Sequence, residues 1–438
     1  DAMACLGLPA GRRLIPRRRT LTTTPFQSDI SMYKVRTYNK ISVKGLDRFP
    51  RQAYEVGSDI AHPDAFLLRS QKLQGIDVPA SLLAVARAGA GVNNVPVAEY
   101  GKQGIVVFNT PGANANAVKE LVMAGMLLSA RGIVDGMNFV QSLGDLKDAA
   151  EMSARLEPET ARFAAPQLRG QTPHAAGARL GRVEKEKARF AGHEISGKTL
   201  GIVGLGAIGS MVADMALAMG MQVVGFDPVL SIDAAWRLSN EVSRMENLQS
   251  LLARSDYVSL HVPAVDATRH MLNSDTLAVI KEGAVLLNFA RDAIVDSAAI
   301  LRSLDSGRLG KYVCDFPEPT LLGHPKIIAM PHIGASTEES EENCAVMAAN
   351  QLVDYLENGN IVNSVNFPKI SMERSPGTSR ITFANENVSG VLGHVLSVLA
   401  DNKVNVVDMM NKSRGELAFN IVDVEREPGD AVIDAIKT

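Results

Sequence analysis

The 438-residue chain is predicted to be an α/β protein: two doubly wound parallel-sheet domains followed by a small α+β unit. Three observations predict this. From Tyr33 to about residue 330, short apolar runs alternate with segments of helical period, as parallel strands joined by crossover helices do. "TLGIVGLGAIGSMVADMALAMG" (199–220) is a buried strand, a glycine-rich turn and a helix in direct succession. The segment after residue 378 reads β-α-β-β-α, and the helix at "GDAVIDAIKT" comes just before the place where a closing strand is expected.

The elements follow in order. Residues 1–33 are set apart: "GRRLIPRRRTLTTTPFQS" holds five arginines and four threonines, and the acids of the whole leader are Asp1 and Asp29. That composition suits an organellar transit peptide, for plastid or mitochondrion, or else a disordered basic tail on a cytoplasmic protein. "DAFLLRS" (64–70) reads as a strand, "PASLLAVARAG" (79–89) as a helix before a "GAGV" turn, and "GIVVFNTPG" (104–112) as a strand ending in a turn. Residues 114–143 form a long helical stretch interrupted near Gly132, and 145–190 lose periodicity and read as a surface insertion. Strand–helix alternation then runs to about residue 330. A helix over 340–359 and a polar linker over 367–378 lead into the terminal unit, with an exposed sheet edge where its last strand is missing.

Composition excludes several classes. Lys plus Arg is 45 against 48 for Asp plus Glu, a net charge of −3, so neither nucleic acid nor an anionic membrane is expected as a partner. No apolar run is long enough to span a bilayer. Cys5, Cys314 and Cys344 show neither a disulfide framework nor metal-ligand spacing, and no metal is expected.

"GLGAIG" places Gly204, Gly206 and Gly209 at the G-x-G-x-x-G spacing, with Ala207 and Ile208 between. Because a strand precedes and a helix follows, the motif reads as a Rossmann-like turn. It lets a pyrophosphate approach the backbone and rest on the helix N-terminus. The next strand, "MQVVGFD", ends in Asp227, whose carboxylate suits ribose hydroxyls and repels a 2′-phosphate. The expected cofactor is therefore NAD. Further strand ends bring Val262 and Pro263, Ala290 and Arg291, Asp315 and Glu318, and His332 with Gly334. Carboxyl ends of strands border the ligand crevice of such a sheet, so Arg291, Glu318 and His332 are expected to meet there. An imidazole to move a proton, a carboxylate to orient it and a guanidinium to clamp a substrate carboxylate suit hydride transfer from a hydroxy acid.

The motifs "RAGAGVNNVPV", "GKTLGIVGLGAIG", "NFARDAIVD", "DFPEP" and "PHIGASTEE" make the chain, from about residue 34 onward, similar to the NAD-dependent D-isomer specific 2-hydroxyacid dehydrogenases. It is most similar to their branch that oxidises 3-phosphoglycerate toward serine. The resemblance implies a catalytic trio of Arg291, Glu318 and His332. It also implies NAD contacts at Gly204, Gly206, Ala207, Ile208, Gly209, Asp227, Val262, Pro263, Ala290, Arg291, Asp315, His332 and Gly334. "DFPEP" is two residues shorter than the family's usual D-V-F-x-x-E-P, which leaves open whether Glu318 or Asp315 partners His332.

The same resemblance implies a substrate domain from 34–140 and 334–366 around an NAD-binding domain at 141–333. Arg69, Asn39 and Lys40 are candidates for the substrate phosphate, and backbone around Gly89, Gly91 and Val92 for its carboxylate. Residues 379–438 resemble an ACT domain, implying L-serine as an effector near Asn385, Asn387 and Asn405, and a homodimer or homotetramer. Other hydroxyacid dehydrogenases, such as a glyoxylate or hydroxypyruvate reductase, and a non-catalytic NAD-sensing corepressor remain as alternatives.

Overall fold

The computed structural model describes residues 32–142 and 188–437. The leader, apart from its last two residues, and the insertion, apart from its last three, lie outside the described residues. Among the described residues two compact units are present, one from 32–114 with 336–437 and one from 115–142 with 188–335.

In the first unit β1 (Tyr33–Thr37), β2 (Tyr54–Gly57), β3 (Ala65–Leu68), β4 (Ala84–Arg87) and β5 (Val106–Phe108) form a parallel sheet in the order β2-β1-β3-β4-β5. The helix expected over 79–89 is in fact β4. Ala84, Val85 and Ala86 are fully buried, and a strand covered on both faces carries no polar alternation to distinguish it from a helix. The helix Glu338–Asn358 returns across this sheet and buries Ala345, Ala348, Ala349, Leu352 and Tyr355 with Val35, Leu67, Ala86 and Phe108. Its ends are well specified. Thr337 caps the first turn, three glutamates there favour the dipole, and Gly359 closes it at φ 73°.

In the second unit the strands are β6 (Thr199–Val203), β7 (Gln222–Phe226), β8 (Ser243–Arg244), β9 (Tyr257–Leu260), β10 (Ala284–Asn288), β11 (Leu309–Cys314) and β12 (Ile327–Ala329). They form one parallel sheet in the order β12-β11-β10-β9-β6-β7-β8. Chain direction across the sheet reverses between β6 and β9, which opens a ligand crevice beyond their carboxyl ends. The helix Ala115–Ala130 belongs to this unit and not to the flanking domain, so the boundary falls after Asn114 rather than after residue 140. Its buried stripe, Val118, Val122 and Met126, packs with Leu200, Val212 and Leu287.

The terminal segment is β13 (Ser379–Glu386), helix Val391–Asp401, β14 (Val406–Arg414), β15 (Leu417–Val424) and helix Asp430–Ile436, with an antiparallel sheet in the order β13-β15-β14. One face packs under its own helices through Ile381, Phe383, Val422 and Val424. The other face, with Ala384, Phe419 and Ile421, joins the core of the first unit. The segment expected as a linker over 367–378 is part of that core: Phe367, Ile370 and Met372 are buried, and Ile370 pairs with Ile361.

An ion pair holds the junction. Arg380 Nε and Nη2 donate to the two carboxylate oxygens of Asp423 at 2.6 and 2.8 Å, and its remaining N–H groups reach the carbonyls of Asn358, Met372 and Glu373. Both side chains are almost wholly buried, at 2% and 0% exposure. Burial pushes the Asp423 carboxyl up, but hydrogen bonds from Arg380 and Ser375 and the Arg380 and Arg374 charges outweigh it and hold it below its usual range. Asp423→Ala leaves a buried guanidinium uncompensated and is expected to cost about 3–5 kcal/mol in chemical denaturation. The lowered carboxyl implies stability that is present above the unfolded value of about 3.9 and is lost as pH falls through the folded one. Acid denaturation of the wild type and of Asp423→Ala should therefore converge at low pH.

Candidate active site

The glycine turn sits at the switch point. A Cβ on Gly204 would lie 2.7 Å from the carbonyl oxygen of His261, and one on Gly209 would lie 2.0 Å from that of Gly204. Strand, turn and helix therefore touch backbone to backbone. A Cβ on Gly206 would meet nothing within 4 Å, so this glycine faces open space. Gly206 caps the helix Ala207–Ala218 without any side-chain hydrogen bond, leaving the Ala207 and Ile208 amides for a ligand phosphate. Asp227 accepts from the Leu205 amide of the turn at 2.9 Å and from the Val229 amide at 3.0 Å. Each carboxylate oxygen keeps a lone pair for a ribose hydroxyl. A cradle open at Gly206 with an acid beside it fits NAD.

Val262 and Pro263 follow β9 on the other side of the turn. A Cβ on Gly204 would also lie 2.9 Å from Val262 Cγ1, and Thr268 Oγ1 donates to the Pro263 carbonyl at 2.6 Å. Behind them His261 exchanges a hydrogen bond with Ser259 at 2.8 Å, and burial pushes the imidazole down to about 4, so it is neutral at pH 7.

The loop after β10 is built on Asn288, which is fully buried. Its side chain donates to the Arg291 carbonyl and accepts from the Ala290 amide. The exposed Arg291 side chain donates from Nη1 to the Ala290 carbonyl at 2.6 Å, with its guanidinium 5.8 Å from the centre of the Phe316 ring. His332 lies 4.6 Å from the same ring, ring centre to ring centre. One aromatic side chain therefore gathers both the cation and the imidazole. The sequence pattern gives no sign of this, because Phe316 reads as a spacer within "DFPEP".

His332 is exposed and has φ 56°, a left-handed conformation that few residues other than glycine adopt. Asp315, 1% exposed, holds it there: Oδ1 accepts the Ile333 amide at 2.8 Å and Oδ2 the Gly334 amide at 2.7 Å. Asp315 thus braces the histidine loop rather than the imidazole itself. The expected Glu318–His332 contact is not made either. Glu318 accepts from Ser297 Oγ at 2.8 Å, and among the described residues no hydrogen bond joins it to His332. The shortened turn accounts for this. With two residues fewer after Asp315, it is Phe316 that packs against the imidazole, while the Glu318 carboxylate is taken up by the helix that starts at Ser297.

In the first unit, the predicted substrate residues all follow carboxyl ends of β1, β3 and β4, but their roles differ. Arg69 pairs with Glu341 at 2.5 Å with both side chains half exposed, a weak surface pair that a stronger anion can displace. Asn39 is engaged in structure: at φ 65° its Oδ1 accepts the Ser70 and Gln71 amides. Lys40 beside it is exposed. In the loop 88–92, carbonyls of Gly89, Ala90 and Gly91 accept from the Thr110 amide, Asn109 Nδ2 and Arg87 Nη1. Turning those carbonyls inward directs neighbouring amides, including that of Val92, away from them. Arg87, which the residue pattern leaves unmarked, also donates to the Arg69 carbonyl and so ties this loop to the arginine.

In the terminal sheet, Asn385 joins a ladder across three strands: Asn411 donates to Asn420, and Asn420 donates to Asn385, each at 2.7 Å. Asn387 lies beside it and donates to the Gly415 carbonyl. Asn405, whose carbonyl accepts the Glu425 amide, is at the opposite end of the sheet. The antiparallel register sets Asn385 against Ala418 and Ser379 against Val424, so one chain does not bring the three asparagines together.

The chain is similar to known proteins. Residues 166–334 match the model of the D-isomer specific 2-hydroxyacid dehydrogenase NAD binding domain. The chain is 30% identical over 373 residues to D-3-phosphoglycerate dehydrogenase of Haemophilus influenzae, covering 83% of this chain and 80% of that protein. It is 30% identical over 363 residues to the Escherichia coli protein of the same name, covering 80% and 77%. Among solved structures, the TT0316 protein of Thermus thermophilus is 27% identical with TM-score 0.55, covering 76% of this chain and 99% of that one. The NAD+-bound 3-phosphoglycerate dehydrogenase of Entamoeba histolytica shares the fold at 22% identity and TM-score 0.54, covering 78% and 100%.

Two glycine substitutions separate packing from ligand contact. Gly209→Ala must force helix from strand and should lower the melting temperature by several degrees. Gly206→Ala should leave it within about 2 °C yet weaken NADH binding, measured by fluorescence titration.

Proposed function

The chain belongs to the D-isomer specific 2-hydroxyacid dehydrogenase family, and on that premise we propose that it oxidises the C2 hydroxyl of 3-phospho-D-glycerate to 3-phosphohydroxypyruvate with NAD. The observation that carries the chemistry is the gathering of Arg291 and His332 within 6 Å of one ring, Phe316, beyond the strand ends of a dinucleotide-binding sheet. The choice of a phosphorylated substrate is supported by the names of the relatives and by Arg69 and Lys40 at the strand ends of the first unit.

Bound NAD supplies a hydride acceptor at the nicotinamide ring. The chain holds it through the amides after Gly206, the Asp227 carboxylate and the walls formed by Val262, Pro263, Ala290 and Gly334. Arg291 clamps the substrate carboxylate with its planar fork and polarises the reacting oxygen. His332 takes the C2 hydroxyl proton on an imidazole nitrogen that, among the described residues, is engaged in no hydrogen bond. Asp315 keeps that nitrogen in place through the backbone, and Glu318 steadies the turn that carries Phe316. The amides of 89–92 take part of the same carboxylate, and Arg69 with Lys40 takes the phosphate. In the same reading the ACT-like segment binds L-serine with Asn385 and Asn387, the enzyme works as a homodimer or homotetramer, and the arginine-rich leader directs it to an organelle.

Steady-state assays with 3-phosphoglycerate, glycerate and lactate test the substrate, and preference for an unphosphorylated acid overturns it. His332→Ala should lower kcat by about 10²–10⁴ with NADH affinity retained. Near-normal turnover refutes its role.

A further inference from the structure

Arg69, assigned above to the substrate phosphate, carries its own counter-ion. Its Nη2 pairs with Glu341 Oε1 at 2.5 Å, and with 45% and 43% of the two side chains exposed both remain within reach of a ligand. A carboxylate so placed works against a phosphate twice, by filling the guanidinium fork and by adding like charge.

The backbone on each side of this pair is fixed, so exchange involves the side chains alone. The Arg69 carbonyl accepts from Arg87 Nε at 3.0 Å and from Asn94 Nδ2 at 3.3 Å. The next two amides, of Ser70 and Gln71, donate to Asn39 Oδ1 at 3.0 and 2.8 Å. Glu341 stands in the first turn of the helix Glu338–Asn358, its own amide donating to the Thr337 carbonyl at 3.1 Å. There the helix dipole favours a carboxylate whether or not a guanidinium is beside it, so releasing Glu341 from Arg69 strands no charge. The neighbouring acids are engaged elsewhere. Glu342 meets Lys44 Nζ at 2.6 Å, and Glu338 and Glu339 lie near enough to act on the same ammonium. The buried Cys344 thiol, one turn further along the helix, feels the charges of Arg87, Arg69 and Glu341 together, which places a second guanidinium close to the pair.

We propose that Glu341 is an exchangeable counter-ion that sets the affinity of Arg69 for the substrate phosphate, an inference that rests on the phosphorylated-substrate reading above. In the free enzyme the carboxylate fills the guanidinium fork. A dianionic phosphate is the stronger partner for that fork and takes its place. Glu341 then turns toward water and the start of its own helix, and it returns to Arg69 when the product leaves. Substrate and product are therefore held more loosely than an unopposed Arg69 would hold them, by the factor of a few that an exposed ion pair is worth.

A double-mutant cycle on the full chain tests it. Glu341→Gln keeps the size of the side chain and removes its charge. It should lower KM for 3-phosphoglycerate roughly two- to fivefold, with kcat equal or lower and KM for glycerate, which has no phosphate, unchanged. In the Arg69→Ala background the same substitution should have no effect. Calorimetric titration with inorganic phosphate reads the same exchange without turnover, and its Kd should fall in the same ratio. An unchanged or raised KM for 3-phosphoglycerate in Glu341→Gln would overturn the proposal. So would a fall that persists without Arg69 or that is matched by glycerate, since bulk charge would then be the cause. If the wild type does not turn over 3-phosphoglycerate while Glu341→Gln still tightens inorganic phosphate through Arg69, the counter-ion exchange stands and the substrate reading is what fails.

Discussion

The buried carboxylate of Asp315 is the constraint on which the site depends. It lies immediately after β11, where the sheet ends, and its two oxygens capture the amides of Ile333 and Gly334. Those bonds hold His332 at φ 56°, a conformation that costs about 1–2 kcal/mol in a residue with a Cβ. Strain of this kind survives only where the surroundings impose it, and here a side chain from one strand end imposes it on the loop after another. The exposed imidazole lies against Phe316, the same ring that the Arg291 guanidinium approaches.

Much of this was legible in the residues because it depends on spacing. The glycine turn must follow a strand and open a helix within a few positions, so Gly204, Gly206, Gly209 and Asp227 declare themselves. The β-α-β-β-α order of the terminal segment is equally local. What depends on direction was not legible. Glu318 has the right type and the right neighbourhood, yet two missing residues turn its carboxylate to Ser297. Asn39 looks like a ligand-facing polar residue, but its oxygen is occupied by two backbone amides. The fully buried β4 reads equally well as helix, since composition alone carries no period there.

The terminal sheet shows how burial of charge fixes one arrangement. Arg380 has all its N–H groups satisfied by Asp423 and three carbonyls, one before the segment that reads as a linker and two within it. Neither partner is tolerable alone in that position, so the sheet has one seat on the first unit. Phe419 packing beside Tyr355 and Phe367 supplies the apolar part of the same junction. Any ligand felt in this sheet is therefore felt against the core that carries Arg69 and the 88–92 loop.

Positioning of the imidazole by backbone bracing, and not by an ion pair with Glu318, is the central claim, and the pH profile of kcat tests it most directly. Loss of a carboxylate partner would lower the pKa of an imidazole. The account expects Glu318→Gln to leave the histidine limb of the profile in place, with kcat reduced only a few fold, and Asp315→Asn to lower kcat far more. A limb displaced by about one unit or more toward lower pH in Glu318→Gln, with Asp315→Asn nearly normal, would contradict it.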